Sequence, residues 1–473
     1  MTISSRELLT QYGIVALRGN AAIFVGAGLS ISAGYPAWSK LLEQLRSQAE
    51  VPSTITDLPL MAEYIEQSIP GGRDALESHL LLALAAVDGH PSQGHRWLSE
   101  LPIDDIWTTN YDTLLEQSIP GISIVSSDEN LQDRRRLQRR RVIKMHGSLT
   151  MGVPPRWLIP PVITRQDYEE YDIRNPRLWA DLRATYLTKS ILFLGFSFTD
   201  PNIEVLLRLS RTLHIGAPEH FTILRAPPTP EEKRLHDLQV RDLERSGIAV
   251  CEVADFNELE PFLRSLVRRT CRKVLFISGS TSGDSDINEC SNALGYRLAE
   301  WNIELTSLAG NSAMILSYGF GKALIAENRY DPDRVRFYFR KSPNRPPPLT
   351  DRIGTAIYSG MSKEDLCEWV LAKCRAMIII GGGDNTKAEF DTARKLGVPV
   401  IPLARSGGVA KVIWQETTPA DSGIALEDTE SETRDWELLN NENVEIAVSA
   451  AIRLVSQTMF LNPDEDRFVT GRE

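Results

Sequence analysis

Ala21-Ala22-Ile23-Phe24-Val25 is an unbroken apolar run that stops at Gly26-Ala27-Gly28-Leu29-Ser30. The pattern predicts a buried strand that turns tightly into a helix. Gly26 and Gly28 carry no Cβ, so the phosphates of a dinucleotide can approach the backbone, facing the N–H groups that open the helix. Alone, such a short glycine motif is weak. Three further polar turns follow apolar runs: Thr109-Asn110-Tyr111-Asp112, His146-Gly147-Ser148, and Gly195-Phe196-Ser197-Phe198-Thr199-Asp200-Pro201-Asn202. A histidine titrates near neutrality and can take up a proton, and an uncharged amide can orient hydroxyls or a water. Asp112 reads either as a second acid or ribose ligand, or as the cap of the helix that starts beside it. His79, His90, His95, His214, His220 and His236 lack comparable context and read as structural.

A second group of glycine turns lies further along: Ser278-Gly279-Ser280, Gly310-Asn311-Ser312 and Gly381-Gly382-Gly383-Asp384-Asn385-Thr386. Each follows a strand pattern and precedes a helix pattern, so each can present N–H groups to a phosphate. Lys373, Arg375 and Lys387 are the cations near the last turn, and Glu389 is placed to hold ribose hydroxyls.

The elements that must position these residues are short apolar strands alternating with helices. Strands are expected at Ile106–Thr109, Arg141–Met145, Ser190–Leu194, His220–Leu224 and Ile248–Val253. Residues 54–100 have helical periodicity and no chemical motif, which predicts a helical insertion. A helix containing Leu259, Phe262, Leu263 and Leu266 closes this half, and a second α/β series starts at Lys273 with strands near 303–307, 335–339, 376–380 and 398–403. The expected division is 1–270 and 271–473. Alternation of this kind predicts parallel sheets, whose ligands bind beyond the carboxyl ends of the strands. The acidic stretch from Glu416 to Asn440 is expected to be loop, and the last ten or so residues to be mobile.

The four turns of the first half, in this order, resemble the motifs of the sirtuin family over roughly residues 15–255. That resemblance implies a Rossmann-like domain binding NAD. Gly26, Ala27, Gly28 and Ser30 would hold the pyrophosphate, and Asn110 and His146 would face the nicotinamide ribose as catalytic residues. Gly195 and Ser197 would hold the adenosine half, with Asp112 and Asp200 also at the cofactor. Deacylating sirtuins carry two Cys-x-x-Cys pairs, whereas no cysteine lies between His146 and Gly195. The chain thus resembles the zinc-less sirtuin-like branch of bacterial antiphage proteins, which implies water as acceptor and no metal. The turn at 381–389 resembles the Pro-Gly-Gly-x-Gly-Thr-x-x-Glu motif of the SLOG superfamily. Thr386 and Glu389 match, while Gly381 replaces the proline and Asn385 a glycine, which weighs against hydrolytic activity there. The resemblance assigns Ser278, Gly279, Ser280, Gly310, Lys373, Arg375, Gly382, Lys387 and Glu389 to signal binding. Joined together, the two halves resemble the NADase effectors of the Thoeris antiphage systems. This implies an NAD hydrolase, active as a homo-oligomer (a tetramer or larger), switched on by a cyclic ADP-ribose-type signal from a TIR-domain partner. A protein deacylase, a non-catalytic nucleotide sensor and a C-terminal phosphoribohydrolase are the competing readings.

The chain has 473 residues, a net charge of −11, and hydrophobic and charged shares of 42% and 24%. These values fit a soluble protein of two or three domains and argue against general nucleic-acid or anionic-membrane binding. Arg134-Arg135-Arg136 and Arg139-Arg140-Arg141 form a local exception, read as a solvated loop or strand edge rather than a phosphate contact. Five cysteines without a Cys-x-x-Cys pair suggest a reducing cytoplasm. No signal peptide or membrane span is expected.

Overall fold

Every residue of Ala21–Val25 is buried, as expected for a strand covered on both faces. It is β1 of a computed structural model that describes residues 2–132, 140–150, 152, 154–213, 219–270, 273–280, 285–308, 310–341, 353–424 and 430–461. The chain divides into two compact units, Met1–Thr270 and Cys271–Glu473.

The first unit continues with β2 (Asp105–Thr108), β3 (Ser123–Val125), β4 (Arg141–Lys144), β5 (Ser148–Thr150), β6 (Arg156–Ile159), β7 (Ser190–Leu194), β8 (His220–Arg225) and β9 (Ile248–Val253). Seven strands form one sheet in the order β3-β4-β2-β1-β7-β8-β9, with every pairing parallel. The chain steps outward from β1 on one side through β2, and on the other through β7. The gap between β1 and β7 is therefore the switch point where such sheets bind ligands. Register places the site: Val25 is level with both Thr108 and Leu194, and Thr108 with Lys144. The residues after these four strand ends thus emerge side by side.

Residues 54–100 are helical as expected, with helices Leu58–Ser68, Gly72–Ala85 and Gln93–Glu100. Leu42, Ile65, Leu76 and Leu80 pack there with Tyr111, Leu149 and Ile163, so the insertion has its own core and walls one side of the site. Strand β3 and the antiparallel β5–β6 hairpin went unanticipated. Each is three or four residues long, and only β6 alternates in exposure, too short a signal for a periodicity reading.

The second unit contains β10 (Val274–Ser278), β11 (Glu304–Ser307), β12 (Val335–Arg340), β13 (Thr355–Ser359), β14 (Ala376–Ile380) and β15 (Val400–Leu403). The order is β13-β12-β11-β10-β14-β15, again wholly parallel, with its switch point between β10 and β14. Both units are Rossmann-like α/β folds. The acidic stretch departs from its expected loop: Glu430–Leu438 is a helix, with Asp435 and Trp436 buried. Arg453 accounts for it, pairing with the Asp435 carboxylate at 2.6 Å so that an acidic helix can bury a charge. Arg134, Arg135, Arg136, Arg139, Cys271 and the C-terminal residues from 462 onward lie outside the described residues. Arg140 and Arg141 are committed within the protein, Arg140 Nη2 to the Leu98 carbonyl at 2.8 Å and Arg141 Nε to Asp105 at 2.6 Å.

Candidate active site

Beyond the carboxyl ends of β1, β2, β4 and β7 lies a cavity of about 1730 Å³. Gly26, Ala27, Gly28, Ser30, Asn110, Asp112, His146, Gly195, Ser197 and Asp200 all line it. The structure therefore gathers around one space every first-half residue that the sequence assigned to catalysis or NAD binding. Tyr35 and Trp38, from the segment after the glycine turn, and Pro59 of the helical insertion form part of its wall.

The glycines do more than clear room for a ligand. The N–H of Gly26 donates to the Leu194 carbonyl and that of Gly28 to the Gly195 carbonyl, both at 2.9 Å. A Cβ on Gly26 would stand 2.5 Å from Gly195 O, and one on Gly28 would stand 2.7 Å from Gly195 Cα. Gly195 itself has φ +64°, and a Cβ there would meet Leu29 N at 2.5 Å. The two turns thus interlock backbone to backbone, and the missing Cβ atoms are used by the protein itself.

Asn110 is tied to the glycine turn. Its Nδ2 donates to the Gly26 carbonyl at 3.1 Å and to Ser30 Oγ at 2.9 Å. Ser30 Oγ in turn donates to Asp112 Oδ2 at 2.8 Å. The other Asp112 oxygen accepts from Leu114 N at 3.0 Å, so Asp112, one residue before the N-cap Thr113, ties the start of its helix to Ser30. Beneath this turn sits Lys144, fully buried on β4. Its Nζ donates to the carbonyls of Tyr111 and Asp112 and pairs with Glu116 at 2.7 Å. Sequence reading treated Lys144 only as strand. Its signal was a lysine amid an apolar strand, which needs buried partners.

His146 follows β4 by two residues, as Asn110 follows β2 by two. Its ring is almost wholly buried, edge-on to Tyr168 at 5.0 Å and to Tyr171 at 6.3 Å. Burial pushes its pKa below the ordinary histidine value, and the carboxylates of Asp200 and Asp167 pull partly against that. Nε2 lies 3.3 Å from Asp200 Oδ2 but makes no hydrogen bond. The loop behind it is pinned by Arg73, which reaches Asp167 and the Pro161 carbonyl, each at 2.6 Å. Among the described residues, no group of three or more His, Cys, Asp and Glu is arranged to hold a metal ion.

In the second unit Ser278, Gly279, Ser280, Gly310 and Gly382 all lie at the carboxyl edge of the sheet, with Lys387 and Glu389 on the helix Asp384–Lys395 that follows. A Cβ on Gly310 would meet Gly279 O at 2.2 Å, and one on Gly279 would meet Ile380 O at 2.0 Å. These turns also interlock. Ser278 Oγ donates to Glu389 Oε2, and burial pushes the Glu389 carboxyl above its usual range. Lys373 and Arg375 do not join them. They precede β14 and so stand at the amino edge; Arg375 N donates to the carbonyl of Val274, the first residue of β10, and its buried Nη1 to that of Met459. Nearness in sequence misled here, because a strand separates Arg375 from Gly381. Lys363, which was not anticipated, is a cation at the carboxyl edge, donating to Asn385 Oδ1.

A SIR2-like domain matches residues 104–251, which makes the first unit a sirtuin-like domain. The NAD(+) hydrolase ThsA of Enterococcus faecium is 33% identical, over 64% of this chain and 68% of its own. The protein of the same name from Cytobacillus dafuensis is 28% identical over 88% of each chain. That of Acinetobacter baumannii (strain 532279) is 26% identical over 84% of this chain and 87% of its own. The chain belongs to this ThsA family of NAD(+) hydrolases. No helix among the described residues is long and apolar enough to cross a membrane.

Proposed function

We propose that the first unit hydrolyses NAD+ to nicotinamide and ADP-ribose, with Asn110 and His146 as its catalytic residues. The observation that carries the assignment is register. Thr108 and Lys144 are paired, so Asn110 and His146 stand two residues beyond neighbouring strand ends, beside the glycine turn. In the reaction the bond from ribose C1′ to the pyridinium nitrogen breaks, and its electron pair leaves with nicotinamide. Water adds to C1′ and gives up a proton. Asn110, already held by Gly26 and Ser30, orients the ribose hydroxyls and that water. His146 takes the proton; its depressed pKa keeps it neutral, and so able to accept, at pH 7. The pyrophosphate lies along the Gly26–Ser30 turn and the adenosine half toward Gly195 and Ser197.

The second unit reads as a SLOG-type sensor. Its interlocked turns and Glu389 would take a cyclic ADP-ribose-type signal made by a TIR-domain partner. Binding would switch on a cytoplasmic homo-oligomer and deplete NAD in antiphage defence. A ligand can shift the off/on equilibrium only by its differential affinity for the two states, and moving from about 1% to 99% active needs ~5.5 kcal/mol. The test is to incubate the purified full chain with NAD+, alone and with each cyclic ADP-ribose isomer, and to quantify nicotinamide. Release that depends on one isomer is expected. Full activity without any isomer would remove the sensor reading, and deacylation of an acyl-lysine peptide without hydrolysis would remove the hydrolase reading.

A further inference from the structure

Asp200 is the residue from which the helix Pro201–Leu213 starts. Its Oδ1 accepts from the N–H groups of Asn202 at 2.9 Å and Ile203 at 3.3 Å, an N-cap arrangement. That cap fixes the carboxylate and leaves Oδ2 facing the ring of His146, 3.3 Å from Nε2. Nε2 is buried and has no hydrogen-bond partner. A buried polar nitrogen opposite a fixed carboxylate oxygen is an incomplete pair, and such pairs often tighten only when substrate closes the site. The remaining groups around the ring are the phenols of Tyr168 and Tyr171 and the carboxylate of Asp167. Asp167 is already engaged by Arg73 and by the N–H groups of Ile163 and Thr164. Asp200 is the carboxylate left for His146.

We propose that Asp200 is the positioning partner of His146: it holds Nε2–H, leaves Nδ1 to receive the proton of the attacking water, and stabilises the imidazolium that forms. This rests on His146 being the general base. The proton balance is simple. Water loses one proton to Nδ1, Nε2 keeps its own, and Asp200 stays ionised throughout. This role differs from direct contact with NAD+, because the carboxylate would act through the imidazole.

Asp200→Asn retains an amide oxygen for the cap, and Asp200→Ser supplies a different capping group without a carboxylate. The full chain is assayed with NAD+ in the presence of a panel of cyclic ADP-ribose isomers. Both variants are expected to lose ~10–100-fold in kcat, less than the ~10²–10⁴-fold for loss of the base itself. KM for NAD+ should stay within about twofold, since uniform binding is untouched. The acid limb of the kcat profile should move to lower pH, because removing a neighbouring negative charge lowers a histidine pKa. A raised KM with unchanged kcat would make Asp200 an NAD+ ligand and overturn the proposal. A lowered melting temperature with an unmoved acid limb would make it a helix cap only, and overturn it as well. Retained turnover in His146→Ala would instead remove the general-base reading on which the proposal rests.

Discussion

Ser30 and Asn110 meet across the site, the hydroxyl accepting from Nδ2 at 2.9 Å. Ser30 passes the contact on to Asp112, so one hydroxyl joins the glycine turn, the amide and a carboxylate at the start of a helix. Replacing Ser30 by Ala should leave the Asn110 side-chain amide with the Gly26 carbonyl as its remaining hydrogen-bond partner. Turnover should fall by ~10-fold or more through lost orientation, while Asn110→Ala and His146→Ala should each fall by ~10²–10⁴-fold. Steady-state nicotinamide release on the four proteins checks the ranking, and a Ser30→Ala enzyme with wild-type kcat would break it.

Lys144 makes a different kind of prediction. Lys144→Met removes the cation that holds two backbone carbonyls beside Asn110, and leaves Glu116 without its partner. Breaking a buried pair by removing one partner typically costs ~3–5 kcal/mol. A lower unfolding midpoint in denaturant is expected, together with reduced kcat in the fraction that stays folded. A stable variant with normal turnover would mean that the clamp on this turn is dispensable.

His220 should shape stability against pH. It is fully buried, stacks on Tyr186 at 4.1 Å and accepts from Ile191 N at 3.1 Å. Burial pushes its pKa from 6.5 down to about 3. The unfolded chain therefore binds more protons between those values, so the contribution is complete above pH 6.5 and is lost as the pH falls toward 3. The slope is at most ~1.4 kcal/mol per pH unit. His220→Asn keeps an acceptor for Ile191 N, and its unfolding free energy should fall less than the wild type's between pH 7 and pH 5. Parallel curves for the two proteins would count against the assignment.

Control of the enzyme can be separated from its chemistry. Glu389→Gln alters the carboxyl bonded to Ser278 at the carboxyl edge of the second sheet. The half-activating concentration of the cyclic ADP-ribose isomer should rise ~10-fold, the equivalent of ~1.4 kcal/mol. KM for NAD+ should not change. Arg375→Ala, at the opposite edge and bonded to Met459, should lower stability instead of moving that midpoint. A titration with unchanged midpoint for Glu389→Gln would exclude this turn as the sensor.

Much of the sheet was legible because β1, β7, β10 and β14 are uninterrupted apolar runs that end in glycine turns, and two-sided burial demands such runs. The first site could be read for the same reason: its polar residues follow apolar strands directly. Less legible were features that depend on partners distant in sequence. Lys144 has its role through Glu116 and two carbonyls, and Asp435 is tolerated in the interior only because Arg453 faces it. Arg375 shows the reverse failure, since closeness along the chain placed it beside Gly381 while the length of β14 carries it to the far edge.

The interlock of Gly26 and Gly28 with Gly195 also bears on synthesis. The turn after β1 leaves the ribosome early, but the backbone it packs against follows the end of β7, which is made only after the helical insertion and five further sheet and hairpin strands. Such a distant pairing cannot form until both segments are available. A nascent or truncated chain that stops short of Gly195 therefore lacks the backbone that its own glycine turn packs against. The topology itself keeps the NAD-cleaving site from maturing before most of the first unit has been translated.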